Sequence, residues 1–136
     1  MMTEIWINLP VKDIKRSKEF FTRVGFTFNE QFADSDAMAC MLIGNKNMVV
    51  MLFVDEVFKN FTRNDIPNTT TSTEVLFSID VESRDEVDVI SRKVVEAGGT
   101  LFGQPGEIQG WMYGCGFVDL DGHRWNLLFR DLSKMT

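Results

Sequence analysis

The sequence contains one histidine, His123, and two cysteines, Cys40 and Cys115, among its 136 residues. A single imidazole largely excludes histidine-rich metal sites and the standard catalytic triads. The two cysteines lack metal-type spacing and lie in apolar or glycine-rich surroundings, so we expect reduced, buried thiols. Catalysis by a cluster of histidine or cysteine side chains is therefore not expected.

Long apolar runs and concentrated positive charge are also missing. No apolar run approaches the roughly 20 residues that a membrane span needs, and residues 1–4 do not resemble the basic start of a signal peptide. The net charge is −6, and the densest basic group is typical of the solvated face of a helix (Lys12, Lys15, Arg16 and Lys18). We therefore expect a cytoplasmic protein with neither nucleic acid nor membrane as a partner.

The length predicts a single domain, residues 1–136, with a substantial core. Only one segment is linker-like, the polar and threonine-rich stretch 67–73. It separates two modules, at about residues 1–66 and about 73–131. We interpret them as parts of one domain, because neither half could bury a stable core alone.

The first module begins with a strand and an amphipathic helix. The helix is predicted to start at Asp13 and to end at Gly25, with Ser17, Phe20, Phe21 and Val24 facing the core. Pro10 cannot donate a backbone hydrogen bond, so its strand should lie at a sheet edge or Pro10 at a strand end. Apolar runs predict strands at 5–11, 27–32, 37–43 and 48–54, followed by a short helix at 55–61.

The second module repeats this order. The capping-box pair Ser83 and Glu86 predicts the start of a helix with Val87, Ile90, Val94 and Ala97 at core spacing. Strands are predicted at 74–81, 100–102, 111–117 and 124–129, with residues 103–106 and 114–116 as turn or bulge material. The repeat predicts an α+β fold of two βαβββ modules, whose sheets form an incomplete barrel around a cleft.

Two stretches resemble the vicinal oxygen chelate superfamily, which includes glyoxalase I, extradiol dioxygenases and the bleomycin and fosfomycin resistance proteins. The opening resemblance covers residues 8–13, 17–21 and 25–26. The second covers residues 119–125, which are similar to the family's Asp-Pro-Asp-Gly-His-x-Trp turn, with Leu120 in place of the proline. The resemblance spans essentially the whole chain and implies the fold more specifically than any activity.

The resemblance also implies where metal ligands would lie, usually His and Glu in this family. The corresponding positions here are Trp6, the vicinity of Met51, Glu74 and Asn126. Tryptophan is not a useful ligand and methionine is too soft for the divalent metals of the family. Glu74 and the neutral amide of Asn126 are fewer ligands than such centres use, so we expect no metal cofactor.

Other candidate residues are large side chains that could line a cleft. Trp111 and Tyr113 lie between Gly110 and Gly114, as residues of a flexible pocket edge would. With Trp6 and Met51 they are suited to a flat or apolar ligand, and the alternative is a place in the core or in a dimer interface. His123 is interpreted as a structural residue of its turn, with a general base as the alternative.

Three functions are compatible with these residues. The favoured hypothesis is a metal-free protein that binds a small organic molecule in an aromatic cleft through Trp6, Met51, Glu74, Trp111, Tyr113 and Asn126. The second is a metal-dependent lyase or isomerase of glyoxalase type with Glu74 as its catalytic residue. The third is a structural or regulatory homodimer without a small-molecule ligand. A homodimer is expected in each case, because family members commonly pair modules within or between chains.

Overall fold

The computed structural model describes residues 1–135, which form two four-stranded sheets and three α-helices. The chain divides into two compact units, Met1–Pro67 and the part that begins at Asn68. Each unit has the order strand, helix, three strands, so the predicted α+β fold of two βαβββ modules is confirmed. The single-domain interpretation and the cleft stay predictions. Within residues 1–135, no helix has both the length and the apolar character that crossing a membrane requires.

The first unit contains one sheet with two helices. Its elements are β1 (Ile7–Val11), α1 (Ile14–Val24), β2 (Thr27–Asn29), β3 (Met38–Ile43), β4 (Met48–Val54) and α2 (Asp55–Thr62). The strand order is β1-β4-β3-β2, with β1 parallel to β4 and the other pairs antiparallel. Pro10 therefore lies in an edge strand, as predicted.

Helix α1 follows the sequence pattern closely. The Asp13 side chain caps it by accepting a hydrogen bond from the Arg16 backbone N–H at 3.1 Å. Gly25 ends the helix with a φ of 126°, a value that L side chains rarely adopt. The predicted core face is confirmed, since all four of its members are buried (Ser17, Phe20, Phe21 and Val24).

The second unit has the same topology. Its elements are β5 (Leu76–Asp80), α3 (Arg84–Glu96), β6 (Thr100–Ile108), β7 (Met112–Val118) and β8 (Arg124–Arg130). The strand order is β5-β8-β7-β6, with β5 parallel to β8. Ser83 caps α3 by accepting a hydrogen bond from the Glu86 backbone N–H at 3.1 Å, as the capping-box spacing predicted.

Several predicted strand boundaries were wrong, among them the start of β1, which begins at Ile7 and not at residue 5. The strand predicted at 27–32 ends at Asn29, because the Asn29 side chain accepts from the Gln31 N–H at 2.9 Å and starts a 3₁₀ turn. β5 begins at Leu76, so Glu74 precedes the strand. β6 extends to Ile108 through residues 103–106, where the predicted bulge is confirmed by shifts in the β6–β7 register.

Asp119 organises the turn between β7 and β8. Its side chain is 6% exposed, and Oδ1 accepts from the backbone N–H groups of Asp121, at 2.9 Å, and His123, at 3.0 Å. Its Oδ2 accepts from the Trp125 indole N–H at 3.0 Å. The same carboxylate thus holds the turn and the first large core residue of β8.

We expect Asp119→Ala to lower the free energy of unfolding by about 3 kcal/mol, because three N–H donors lose their acceptor in a buried turn. Asp119→Asn should lower the free energy of unfolding by less than Asp119→Ala does, because the amide oxygen still replaces one of the two carboxylate oxygens as an acceptor. Urea denaturation followed by tryptophan fluorescence measures both. The control is Asp36→Ala, which removes an exposed partner of Lys15 at 3.8 Å and should change stability by less than about 0.5 kcal/mol. Equal effects at Asp119 and Asp36 would contradict this role.

Candidate functional site

The two faces of the second sheet differ. Helix α3 packs on β6, β7 and β8 and covers one face, where Phe117, Trp125 and Leu127 are almost fully buried. Because side chains alternate along strands, the neighbouring positions point to the opposite face. We call this the open face and define it by Ser78, Phe102, Gly114, Gly116, Arg124, Asn126, Leu128 and Arg130.

Two glycines, Gly114 and Gly116, occupy the open-face positions in the middle of β7 and form the floor on which neighbouring side chains pack. A Cβ atom on Gly116 would collide with the Phe102 ring, and one on Gly114 would lie 2.5 Å from the Leu127 carbonyl oxygen. Neither position can carry a side chain without rearrangement of its neighbours. Both glycines are buried, because the Phe102 ring packs over Gly116 and Leu128 packs against Gly114.

A cavity of about 230 Å³ lies on this floor. Its apolar walls include Phe102, Ile108 and Leu128, and Gln104 and Asn126 provide amide groups. A second, wider depression of about 400 Å³ lies between α3 and β6, but none of the predicted site residues lines it. The open-face cavity is the candidate site because it contains a residue that the sequence predicted, Asn126.

The polar groups of the open face form a compact group. Gly116, Asn126 and Ser78 occupy one cross-strand row, and the Asn126 Nδ2 donates to Ser78 Oγ at 3.4 Å. Two residues before Asn126, the Arg124 guanidinium stacks on the Phe102 ring, with Cζ 4.8 Å from the ring centroid. A hydroxyl, an amide and a guanidinium thus lie beside the glycine floor.

The two ionisable residues of β7, Tyr113 and Cys115, both have raised pKa values that favour their protonated forms. Burial raises the pKa of Cys115 to about 11, so this thiol on the α3 side of β7 is neutral near pH 7. The Tyr113 hydroxyl donates to Asp88 Oδ1 at 2.7 Å, and this hydrogen bond raises the pKa of Tyr113. Neither side chain is an activated nucleophile.

Among the predicted site residues of the second unit, only Asn126 lines the cavity. Tyr113 lies on the opposite face of the sheet, where Asp88 of α3 occupies its hydroxyl. Trp111 is half-buried in the turn before β7, and its carbonyl accepts from the Asp131 N–H at 2.7 Å. Glu74 is exposed two residues before β5, whereas Asn126 is aligned with Ser78, so the β5–β8 register does not align Glu74 with Asn126.

The first unit holds the other two predicted residues. Trp6 directly precedes β1 and is 55% exposed. Met51 lies in β4, in a row with Asn8 of β1 and Cys40 of β3. In the matching strand orders, β1, β4 and β3 correspond to β5, β8 and β7, the strands that carry Ser78, Asn126 and Gly116.

The metal implied by the resemblance does not fit the residues that the structure brings together. Within residues 1–135, no group of three or more His, Cys, Asp or Glu side chains could hold a metal ion. Asn126 and Ser78 are neutral, and the adjacent strand position Asp80 is already paired with Arg130 at 3.2 Å. A divalent cation of this family requires more anionic or imidazole donors than the open face provides.

Sequence reasoning missed four contributors to the site: Ser78, Phe102, Arg124 and the glycine pair. The interpretation of residues 114–116 as a turn or bulge was wrong, because they lie in the middle of β7. The alternation of Gly114 and Gly116 with the apolar residues Cys115 and Phe117 has the period of two that is typical of a strand, and this pattern could have predicted it. Nothing in the local sequence indicated that Phe102 and Arg124 would stack.

Comparisons with known proteins agree with this architecture. Residues 3–44 match the family model described as bleomycin resistance protein-like N-terminal. The chain is 35% identical to the hypothetical protein SA1046 from S. aureus over 95% of both chains, with a TM-score of 0.85. The comparison with curated proteins gives no match.

Two further structures show the same fold at lower identity. A glyoxalase/bleomycin resistance protein/dioxygenase family enzyme from Burkholderia phytofirmans is 18% identical, with 92% of this chain and 96% of that chain covered and a TM-score of 0.76. The fosfomycin resistance protein FosX from Listeria monocytogenes is 16% identical, with 98% of each chain covered and a TM-score of 0.67. The repeated βαβββ units, the Asp119 turn and these matches establish that the chain belongs to the glyoxalase/bleomycin resistance/dioxygenase group, the vicinal oxygen chelate superfamily.

Proposed function

We propose that this protein binds a small organic molecule, aromatic or apolar, in the open-face cavity without a metal ion. The observation that carries the proposal is the glycine-floored cavity of about 230 Å³ beside Asn126. Phe102, Ile108 and Leu128 supply apolar contact for such a ligand, and Gln104 and Asn126 supply amide groups. Sequestration of a drug-like compound, as in bleomycin resistance, and binding of a physiological ligand are two versions of this function.

Asn126 has a specific part in this proposal. It occupies the position where the resemblance places a ligating glutamate, yet its amide carries no charge to hold a cation. An amide donates and accepts hydrogen bonds, so it can orient a polar group of a bound molecule. The substitution favours ligand recognition over metal coordination at this row of the sheet.

Catalysis of the glyoxalase type is the alternative, and it requires Glu74 to act with a metal. Glu74 is exposed in a bend outside β5, and the cavity wall does not include it. A general base must lie within hydrogen-bond reach of the proton that it removes. The position of Glu74 therefore favours binding without catalysis.

A thermal-shift screen of planar aromatic compounds should identify ligands that raise the melting temperature, since a ligand specific for the folded state stabilises it by about 2.7 kcal/mol at 100 times its Kd. Gly116→Ala should weaken a hit at least about tenfold in calorimetric titration, because the new Cβ displaces Phe102 from its place above the floor.

The control is Ser72→Ala, which changes an exposed side chain outside the cavity lining. It should leave affinity unchanged. A hit that binds both variants equally well does not use this cavity, and a screen without any hit would favour the purely structural or regulatory alternative.

Protein purified without chelators should contain substoichiometric divalent metal by plasma mass spectrometry, and EDTA should not change its melting temperature. The reason is the shortage of anionic and imidazole donors around Asn126. Stoichiometric metal that disappears in Glu74→Ala, but remains in the exposed-carboxylate control Glu82→Ala, would instead support the lyase or isomerase alternative.

We also propose a homodimer, supported by large apolar side chains that are solvent-exposed in the single chain, including Trp6 at 55% and Leu76 at 49%. Light scattering coupled to size exclusion should give twice the chain mass at micromolar concentration. Trp6→Ser and Leu76→Ser should each shift the mass toward that of a monomer, whereas Val89→Ser on the exposed surface of α3 should not. A monomer at every concentration would refute this assembly.

A further inference from the structure

Arg124 differs from Arg130, the other arginine of the second sheet, because its side chain has no hydrogen-bond acceptor among residues 1–135. Its Nε is buried without a hydrogen-bond partner, and it forms no ion pair with any residue from 1 to 135. Arg130 lies on the same strand and face but is paired with Asp80 at 3.2 Å. The open face therefore carries one satisfied guanidinium and one that lacks a counter-charge.

An unsatisfied guanidinium is unfavourable in a folded protein unless something uses it. Burying a donor without an acceptor costs about 1–3 kcal/mol, and more for a charged group. The Phe102 ring compensates in part by a cation–π contact, at 4.8 Å from Cζ to the ring centroid. The ring accepts no hydrogen bond in the plane of the guanidinium, so the buried Nε–H still lacks an oxygen acceptor there.

From these contacts we infer that the ligand of the open-face cavity carries an anionic group, a carboxylate or a phosphoryl oxyanion, which Arg124 binds. This inference rests on the proposed binding function and specifies the chemistry of its ligand. The planar fork of arginine matches two oxygens of either group. Arg124 lies beside the cavity lining, and Phe102 both lines the cavity and supports Arg124, so an anion at Arg124 adjoins an apolar body in the cavity.

The surrounding polar groups are compatible with an anion. Asn126 and Ser78 are neutral and can donate hydrogen bonds from the next row of the sheet. The Asp80 carboxylate is paired with Arg130, and the Glu107 carboxylate is paired with Arg84 at 2.8 Å. Both carboxylates that belong to this sheet region are therefore already neutralised, which limits their repulsion of a negatively charged ligand.

Three probes of similar shape separate charge from apolar contact: 2-naphthoate, 2-naphthyl phosphate and the neutral 2-naphthamide. Isothermal titration of each into the full chain should show at least one anion binding about tenfold or more tightly than the amide. A preference for naphthoate or for naphthyl phosphate identifies the oxyanion as a carboxylate or a phosphoryl group.

Arg124→Gln should reduce the ratio of anion affinity to amide affinity to about one, while Arg124→Lys should retain part of it. Arg130→Gln, on the same strand and face, is the matched control and should leave the ratio unchanged. Arg124→Gln should also melt at or above the wild-type temperature, because the Arg124 Nε has no partner to lose. That gain in stability with loss of anion affinity distinguishes a binding residue from a structural one.

The failures of the two proposals are distinguishable. If naphthamide binds as tightly as both anions, or if the glutamine substitutions at Arg124 and Arg130 weaken anions equally, the anionic ligand is wrong and the binding function stands. If Arg124→Gln changes only the oligomeric mass, Arg124 serves an interface between copies and the inference is wrong. If none of the three probes binds, both the anion site and the binding function proposed for this cavity are overturned.

Discussion

The hydrogen bond from the Trp125 indole to Asp119 is the interaction on which the arrangement of the second sheet depends. It joins the turn to the most bulky core residue of β8 and so fixes which residues of that strand face α3. A slip by one residue would exchange the two faces of a strand. It would bury Asn126 and Arg124 and expose Trp125. The scaffold residue of the family turn thereby determines the chemistry available on the open face.

The same alternation explains why a small unit can both be stable and keep an accessible surface. Cys115 and Phe117 of β7 are buried under α3, whereas the intervening positions Gly114 and Gly116 contribute no side chain to the other face. Glycine in a strand interior gives up packing and conformational entropy, at roughly 0.5–1 kcal/mol per residue. The core on one face offsets that loss, and on the other face Phe102 and Leu128 pack against the two glycines and form walls of the cavity.

The sequence predicted the features that depend on residue spacing within one short segment. Helix α1 followed from residues three and four apart, and the strand predicted at 124–129 placed Asn126 correctly in β8. Tyr113 was predicted as a site residue for its aromatic ring. It lies four residues before Phe117 in β7, so both side chains point to the same face and Tyr113 contacts α3. Phe102 and Arg124 were not predictable, because their contact requires the bulge in β6 and the register across β7 and β8. No short segment of the sequence specifies which residues of two strands are paired.

Two neighbouring open-face positions of β8 determine its charge: position 126 lacks the carboxylate that the resemblance implies, and position 124 is an arginine. In metal-dependent relatives a divalent ion supplies positive charge, and the glutamate implied at position 126 would help to hold it. Here position 126 is a neutral amide, and the neighbouring open-face position is a guanidinium supported by Phe102. A fixed cation can attract an oxyanion without any bound ion, and it needs no cluster of carboxylates to hold it in place. Under the proposed function, the neutral amide of Asn126 and the unpaired guanidinium of Arg124 together favour recognition of an anion without a bound metal ion.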